Sequence, residues 1–247
     1  MSPANSIGFP FIELRKVEST NNYAMRLVHE GMAHHGTVVF AHEQTKGKGQ
    51  RNKQWVSAPD QNIMLSVVVD PFELHPSQIF LLSMSVANAV HTFFSEYAGE
   101  QTKIKWPNDL YWCDRKAGGI LIENIIQGRH WKKAIIGIGL NINQTDFGDF
   151  KKAVSLKMIT GRTFNRIELA KELLNFLNLS FANLIESPED LIEKYQENLY
   201  KRKQKVDFKR DQNHFQGLLE GVNINGQLVV KTGDEEQLLN VGEVDWL

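Results

Sequence analysis

Three strand-like runs follow one another in the middle of the chain with no helical pattern between them: "TKIKW" at residues 102–106, "AGGILIENII" at 117–126 and "WKKAIIGIGLNIN" at 131–143. Helical periodicity lies elsewhere. Residues 76–99 stack Phe80, Met84, Ala87 and Val90 on one face, between Pro76 and Gly99. From Arg166 to about Tyr200, Leu169, Leu173, Leu174, Leu177 and Phe181 share a face, and Ser187-Pro188 restarts a second helix. Strands and helices that segregate in this way predict an α+β domain.

Upstream, "FPFIELRKVES" reads as a strand and "STNNYAMRLVHEG" as a short helix with Tyr23, Leu27 and Val28 on one face and Gly31 as its stop. The runs "GTVVFAHE" and "NIMLSVVVD" read as buried strands, and residues 44–61 between them as a long loop of the kind that carries function. After "YKRKQKVDFKR" the composition changes to short strands with turn signals at Asn225-Gly226 and Gly233-Asp234, which predicts a small β-barrel. A chain of 247 residues suits one main core plus an appendage, divided here at 1–200 and 201–247.

A net charge of -1 gives no overall basic field, so a dedicated nucleic-acid binder is disfavoured. Cys113, the single cysteine, excludes an intrachain disulfide. No apolar stretch is long enough to span a membrane, and "MSPANSIGFPF" lacks a leader-peptide pattern, so a cytoplasmic protein is expected. The histidines show no metal-ligand spacing, and P-loop, G-x-G-x-x-G and nucleophile-elbow patterns are missing.

Five stretches could carry chemistry, and each has a plainer reading. Gly47 to Arg51, extended by Lys53, joins flexible backbone to cationic side chains: an anion cradle, or a solvated basic loop. Asn108 and Asp109 follow Pro107 and suit either a site or turn chemistry. Lys116 opens an apolar run beside Gly118 and Gly119, as a half-dry cation or as a snorkelling lysine. "GIGLNIN" thins a strand at Gly137 and Gly139 and ends near Asn141, for a ligand or for a close strand crossing. "ESTNNY" is a helix N-terminus with Ser19 or Thr20 as N-cap, and its free N–H groups could meet a polar ligand.

The succession "ESTNNYA", "EQTKGKGQRNKQW", "KWPNDLYWCDRKAGGILIE" and "IGIGLNIN", followed by a β tail, resembles the biotin protein ligases over essentially the whole chain. The resemblance implies a mixed sheet with flanking helices, like that of class II synthetases, plus a C-terminal SH3-like barrel. It implies ATP, biotin and Mg2+ as ligands, formation of biotinyl-5′-AMP, and transfer of biotin to a lysine of a biotin carboxyl carrier protein of acetyl-CoA carboxylase or a related carboxylase. Lys116 becomes the catalytic cation between the biotin carboxylate and the α-phosphate, and Asp109 a metal and nucleotide holder. Ser19, Thr20, Asn21, Gln44, Gly47, Lys48, Gly119, Gly137 and Gly139 fall to biotin; Gly49, Gln50, Arg51, Trp55, Asn108 and Asn141, with Lys116, fall to the nucleotide. Gln50 stands where the family often has an arginine that helps retain the adenylate, and Arg51 is the residue available to replace it. With few residues before Glu18, no DNA-binding domain and no repressor activity are expected; a homodimer is compatible with the family. Lipoate ligases share the superfold, and a non-catalytic biotin or nucleotide sensor is the alternative from another class.

Overall fold

The computed structural model describes residues 6–71, 74–128 and 130–247, so residues 1–5, on which part of the leader-peptide expectation rests, lie outside it. Seven strands make one mixed sheet: β1 (Phe11–Leu14), β2 (Val38–Ala41), β3 (Ile63–Val69), β4 (Thr102–Lys105), β5 (Asp109–Trp112), β6 (Arg115–Gln127) and β7 (His130–Leu140). Their order is β1-β2-β3-β7-β6-β5-β4. β1 and β2 run parallel; the other neighbours run antiparallel. The helices are α1 (Thr20–His29), α2 (Ile79–Ala98), α3 (Leu156–Thr160), α4 (Arg166–Glu186) and α5 (Pro188–Glu197).

The period of two in the strands sends alternate side chains to opposite faces. Val38, Phe40, Val67, Val69, Ile136 and Ile138 belong to the main core under α2 and α4. Val39, Val68 and Ile135 form a smaller cluster with Ala24 and Leu27 of α1. α1 thus covers the face opposite the large helices, and that face carries the site.

Two helices bury more than their apolar periodicity shows. α2 is buried nearly all round, including Leu81, Leu82, Ser85 and His91, while Phe80 is half-buried; α4 and α5 cover the side turned away from the sheet. In α1 the buried residues are Thr20, Asn21, Ala24 and Leu27, whereas Tyr23 and Val28 are half-buried. Polar Thr20 and Asn21 are buried because the sheet supplies hydrogen-bond partners, which an apolar periodicity does not register. Strand β5 lies in "DLYW", read from sequence as part of a turn, and α3 is too short to show a period.

The tail forms a five-stranded antiparallel sheet of β8 (Lys205–Arg210), β9 (Asn213–Val222), β10 (Leu228–Thr232), β11 (Glu235–Leu239) and β12 (Asp245–Trp246), in the order β11-β10-β9-β8-β12. Its Val206, Phe208 and Leu219 continue the same buried cluster as α2 and β7. The Asn225-Gly226 turn does the docking. Trp106 Nε1 donates to the Gly226 carbonyl at 2.9 Å. Gly226 has φ +82°, and a Cβ there would stand 2.3 Å from the Phe80 ring, so conformation and space both demand glycine. No helix among the described residues is long and apolar enough to cross a membrane.

Candidate active site

Backbone register aligns the site. Met64 pairs with Gly139, Gly139 with Gly119, Gly119 with Asp109 and Asp109 with Lys105, so one rung crosses five strands from β3 to β4. The next rung is Ser66, Gly137 and Leu121. Both rungs, apart from the fully buried Ser66, floor a cavity of about 750 Å3. Glycine at 119, 137 and 139 keeps the floor low where larger neighbours lean over it. A Cβ at 137 would meet Asn21 Oδ1 at 2.3 Å, and one at 139 would meet the Trp55 ring at 2.6 Å. At 119 it would stand 3.3 Å from Asp109 Oδ1.

One end of the cavity is neutral and polar. Ser19 caps α1 by accepting the Asn22 N–H, which fixes where the helix begins. Gln44 Oε1 accepts the Thr20 N–H at 2.7 Å. Ser66, fully buried, has its hydroxyl 2.5 Å from Asn21 Oδ1 and 2.8 Å from Thr20 Oγ1. A hydroxyl owns one proton; given to Asn21, it leaves Thr20 to donate to Ser66 or to Gln44, 3.1 Å away. Asn21 Nδ2 donates to Glu123 Oε2 at 2.8 Å, and Glu123 Oε1 takes Lys48 Nζ at 3.0 Å.

The other end is charged. Lys116 Nζ lies 2.7 Å from Asp109 Oδ1, both about one-third exposed. The backbone around Lys116 is fixed from two sides: its N–H donates to Lys152 O at 2.6 Å, and the Val154 N–H donates to its carbonyl at 2.9 Å. Asn141 Nδ2 donates to the carbonyls of Lys116 and Val154 at 3.3 and 3.1 Å. Lys105 reaches the same cavity. Burial lowers its ammonium to about 8, against the pull of Asp109 and with help from the like charges of Lys201, Lys152 and Lys116. Its Nζ sits 4.7 Å from the Tyr111 ring centroid and 5.3 Å from that of Trp246.

The glycine-rich stretch closes into a hairpin rather than an open loop. Gly49 N–H donates to Lys53 O at 2.7 Å, and Trp55 N–H to Gly47 O at 2.9 Å. A Cβ at Gly47 would stand 2.4 Å from the Trp55 carbonyl, so the crossing requires glycine. Arg51 reaches the tail, 3.6 Å from Asp245. Below the hairpin, His42 Nδ1 and Asp60 Oδ1 lie 2.7 Å apart, and Arg166 Nη2 donates to Asp60 at 2.8 Å. The His42 hydrogen bond, with Arg15 and Arg166 nearby, holds the Asp60 carboxyl below its ordinary value.

Most residues singled out from sequence line this one cavity: Ser19, Thr20, Asn21 and Gln44 at the neutral end, and Lys116, Asp109 and Asn108 at the charged end. Lys48, Gly49, Gln50, Arg51 and Trp55 line it from the hairpin, and Gly119, Gly137 and Gly139 from the floor. Several also make contacts within the protein that the sequence did not show. Asn141 spends its amide nitrogen on two carbonyls, and Asn108 donates to the Ile120 carbonyl, so both hold the charged end in place. Gly118 makes room for Leu140, 2.4 Å from where its Cβ would be, and not for a ligand. Arg51 turns toward Asp245 of the tail.

A family model described as the biotin/lipoate A/B protein ligase family matches residues 13–141, which contain both rungs and both ends of the cavity. The chain belongs to that biotin/lipoate ligase family. Over 162 residues it is 34% identical to the bifunctional ligase/repressor BirA of Bacillus subtilis, covering 64% of this chain and 49% of that protein. The match thus spans about half the length of that relative. It is 30% identical over 176 residues to a biotin–acetyl-CoA-carboxylase ligase of Paracoccus denitrificans, covering 68% and 70% of the two chains. Among solved structures, a biotin protein ligase from Aquifex aeolicus in complex with biotin and ATP superposes with a TM-score of 0.80 at 25% identity, over 96% of this chain and 98% of that one.

Four residues of this biotin/lipoate ligase family chain escaped the sequence reading: Ser66, Glu123, Lys105 and Trp246. Ser66 and Glu123 did leave a trace, as lone polar residues in the apolar runs "NIMLSVVVD" and "GGILIEN". Lys105 opens the motif that carries the resemblance but shows no role there, and Trp246 left no trace, because only the docking of the tail brings the two together.

Proposed function

We propose that the chain is a biotin protein ligase. Its biotin carboxylate attacks the α-phosphorus of ATP, the bond from that phosphorus to the bridging oxygen breaks, and pyrophosphate leaves with the electron pair. A lysine amine of a biotin carboxyl carrier protein then attacks the carbonyl of biotinyl-5′-AMP, and AMP leaves. The observation that carries this reading is the pairing, in one cavity, of a buried neutral hydrogen-bonding end with a lysine at the opposite end. The neutral end suits a ureido ring, which both donates and accepts; the charged end suits two anions that must meet.

Lys116 is the cation between those anions. Repulsion between a carboxylate and a phosphate a few Å apart is strong where the effective dielectric is low, and a fixed ammonium offsets it most where charge builds up in the transition state. Asp109 holds Lys116 ready at 2.7 Å. No group of three or more His, Cys, Asp or Glu residues capable of holding a metal occurs among the described residues. Asp109 alone suits Mg2+, which takes one or two carboxylates and fills its remaining positions with phosphate oxygens and water. Such an ion would lend further positive charge to the phosphates. The glycine hairpin, at the cavity's rim, excludes water from the mixed anhydride.

The neutral end also argues for biotin over lipoate. A dithiolane ring offers no donor and only weak acceptors, so the hydrogen-bonding capacity that Thr20, Asn21 and Gln44 turn to the cavity would go unmatched, a mismatch that in comparable sites discriminates by roughly 10⁴-fold. We place the reaction in the cytoplasm and residues 201–247 as a second unit flanking the site. The test is to incubate the protein with biotin, ATP, Mg2+ and a carrier domain and to weigh the carrier: a gain of one biotin is expected. An unmodified carrier together with no pyrophosphate release would refute the reading. Lipoate bound in calorimetry with biotin ignored would replace it by lipoate ligation.

A further inference from the structure

We propose that Lys105 binds the β- and γ-phosphoryl oxygens of the nucleotide and neutralises pyrophosphate as it departs, with Trp246 of the tail as its positioning residue. The assignment rests on the adenylation proposed above and names a second cation for it.

Charge bookkeeping at the cavity makes Lys105 distinct. The charged lining residues are Lys48, Arg51, Lys53, Lys105, Lys116 and Lys152 against only Asp109 and Asp245. Lys48, Arg51 and Lys116 each already face a carboxylate, on Glu123, Asp245 and Asp109. Lys105, Lys53 and Lys152 have no carboxylate within ion-pair distance among the described residues, and Lys53 and Lys152 are exposed, where water solvates them. Lys105 alone is both half-buried and without such a partner.

An ammonium withdrawn from water needs compensation. Here it comes from two aromatic faces, Tyr111 and Trp246, and from the Tyr111 hydroxyl at 3.3 Å. Aromatic rings stabilise a cation without neutralising it. The rings offset its burial without adding a fixed negative charge beside it, so its charge is open to an incoming anion. Trp246 Nε1 is itself buried with no acceptor among the described residues, a second donor on the same wall.

Register gives the location. Lys105 is the last member of the floor rung, one strand beyond Asp109 and two beyond Gly119. Strands lie about 4.8 Å apart, so Lys105 stands roughly 5 Å further along the rung than Asp109, in the direction away from the neutral end. A nucleotide whose α-phosphate meets Lys116 has its β- and γ-phosphates within a few Å of there. The reaction moves charge the same way. When the bond from the α-phosphorus to the bridging oxygen breaks, ATP and biotin carrying about five negative charges become an adenylate with one and a pyrophosphate with about four. Lys116, engaged with carboxylate and α-phosphate, is in the wrong place for that group.

The experiment compares wild type, Lys105→Met, Lys105→Arg and Trp246→Leu in biotin-dependent pyrophosphate release, with biotin affinity measured separately by calorimetry in the absence of nucleotide. Lys105→Met should raise the KM for ATP and the inhibition constant of added pyrophosphate by about 10- to 100-fold, the scale of one hydrogen bond to a charged group. Biotin affinity should stay within twofold. Lys105→Arg should recover most of both losses, and Trp246→Leu should give a smaller loss of the same kind. Unchanged ATP and pyrophosphate constants in Lys105→Met would overturn the assignment, as would equal losses in biotin affinity, which mark a structural role. A wild-type protein that forms no adenylate would instead remove the adenylation reading, and this assignment with it.

Discussion

The two ends of the cavity are built on different principles. At the neutral end, Ser66, Thr20, Asn21 and Gln44 are held by short hydrogen bonds between one strand, one helix and the segment that follows β2. At the charged end, Lys116 and Asp109 are a third exposed, and Lys105 is held by an aromatic ring from the tail. A rigid polar network discriminates through the donors and acceptors it leaves over for the ligand, which a ligand without hydrogen-bonding groups would strand. A semi-exposed cation pair discriminates little but lowers a barrier. Recognition and rate should therefore be separable by mutation.

The largest effect should come from Lys116→Ala: adenylation falls by roughly 10²-fold or more in single-turnover assays, while biotin affinity by calorimetry changes little. Comparable losses in both would erase the distinction between the ends. Thr20→Val should do the reverse. Biotin affinity drops by about 10-fold, and the adenylation rate at saturating biotin stays near wild type. An unaltered dissociation constant would show that the polar network does not face the ring.

A third prediction concerns stability, far from either end. Burial lowers the His91 imidazole to about 4, with Nε2 donating to the Thr102 carbonyl at 3.0 Å. Between about pH 6.5 and 4 the unfolded chain then binds a proton that the folded one does not. Stability is full above 6.5 and declines as pH falls through that window, by about 3 kcal/mol in all. His91→Gln, which keeps a donor for Thr102, should flatten the slope of denaturation midpoint against pH across this range; an unchanged slope assigns it to other groups. The smallest effect is expected for the exposed pair of Arg51 and Asp245. Asp245→Asn should raise proteolysis of the glycine hairpin less than about threefold at low salt and not at all at high salt.

How legible the site was in the sequence follows the same division. Ser19, Thr20, Gln44, Lys116 and Asp109 sit in compact local patterns, an N-cap, a glycine-flanked basic loop and a Pro-Asn-Asp turn, whose chemistry is written in adjacent residues. The glycines at 119, 137 and 139 were visible as thin strand positions, but what fills them depends on register between distant strands: Asn21 and Trp55 lean over 137 and 139. Asn141 and Asn108 line the cavity as the sequence suggests, while their amide nitrogens serve backbone carbonyls, a second use that sequence does not display. Ser66 hid in an apolar strand. Lys105 stood in the quoted motif without a legible role, because its neighbours Tyr111 and Trp246 come from another strand and from the tail. The strand runs and long helices were plain, whereas β5 and α3 were too short to declare a period.

A crystal structure with biotinyl-5′-AMP bound would show whether one lysine ammonium joins the two reacting anions. The Lys116 Nζ should then be released from Asp109, or shared with it, and lie within hydrogen-bond distance of both the acyl carboxylate-derived oxygen and an α-phosphate oxygen. A Lys116 side chain still paired only with Asp109, or turned to solvent, while the adenylate fills the cavity, would contradict it.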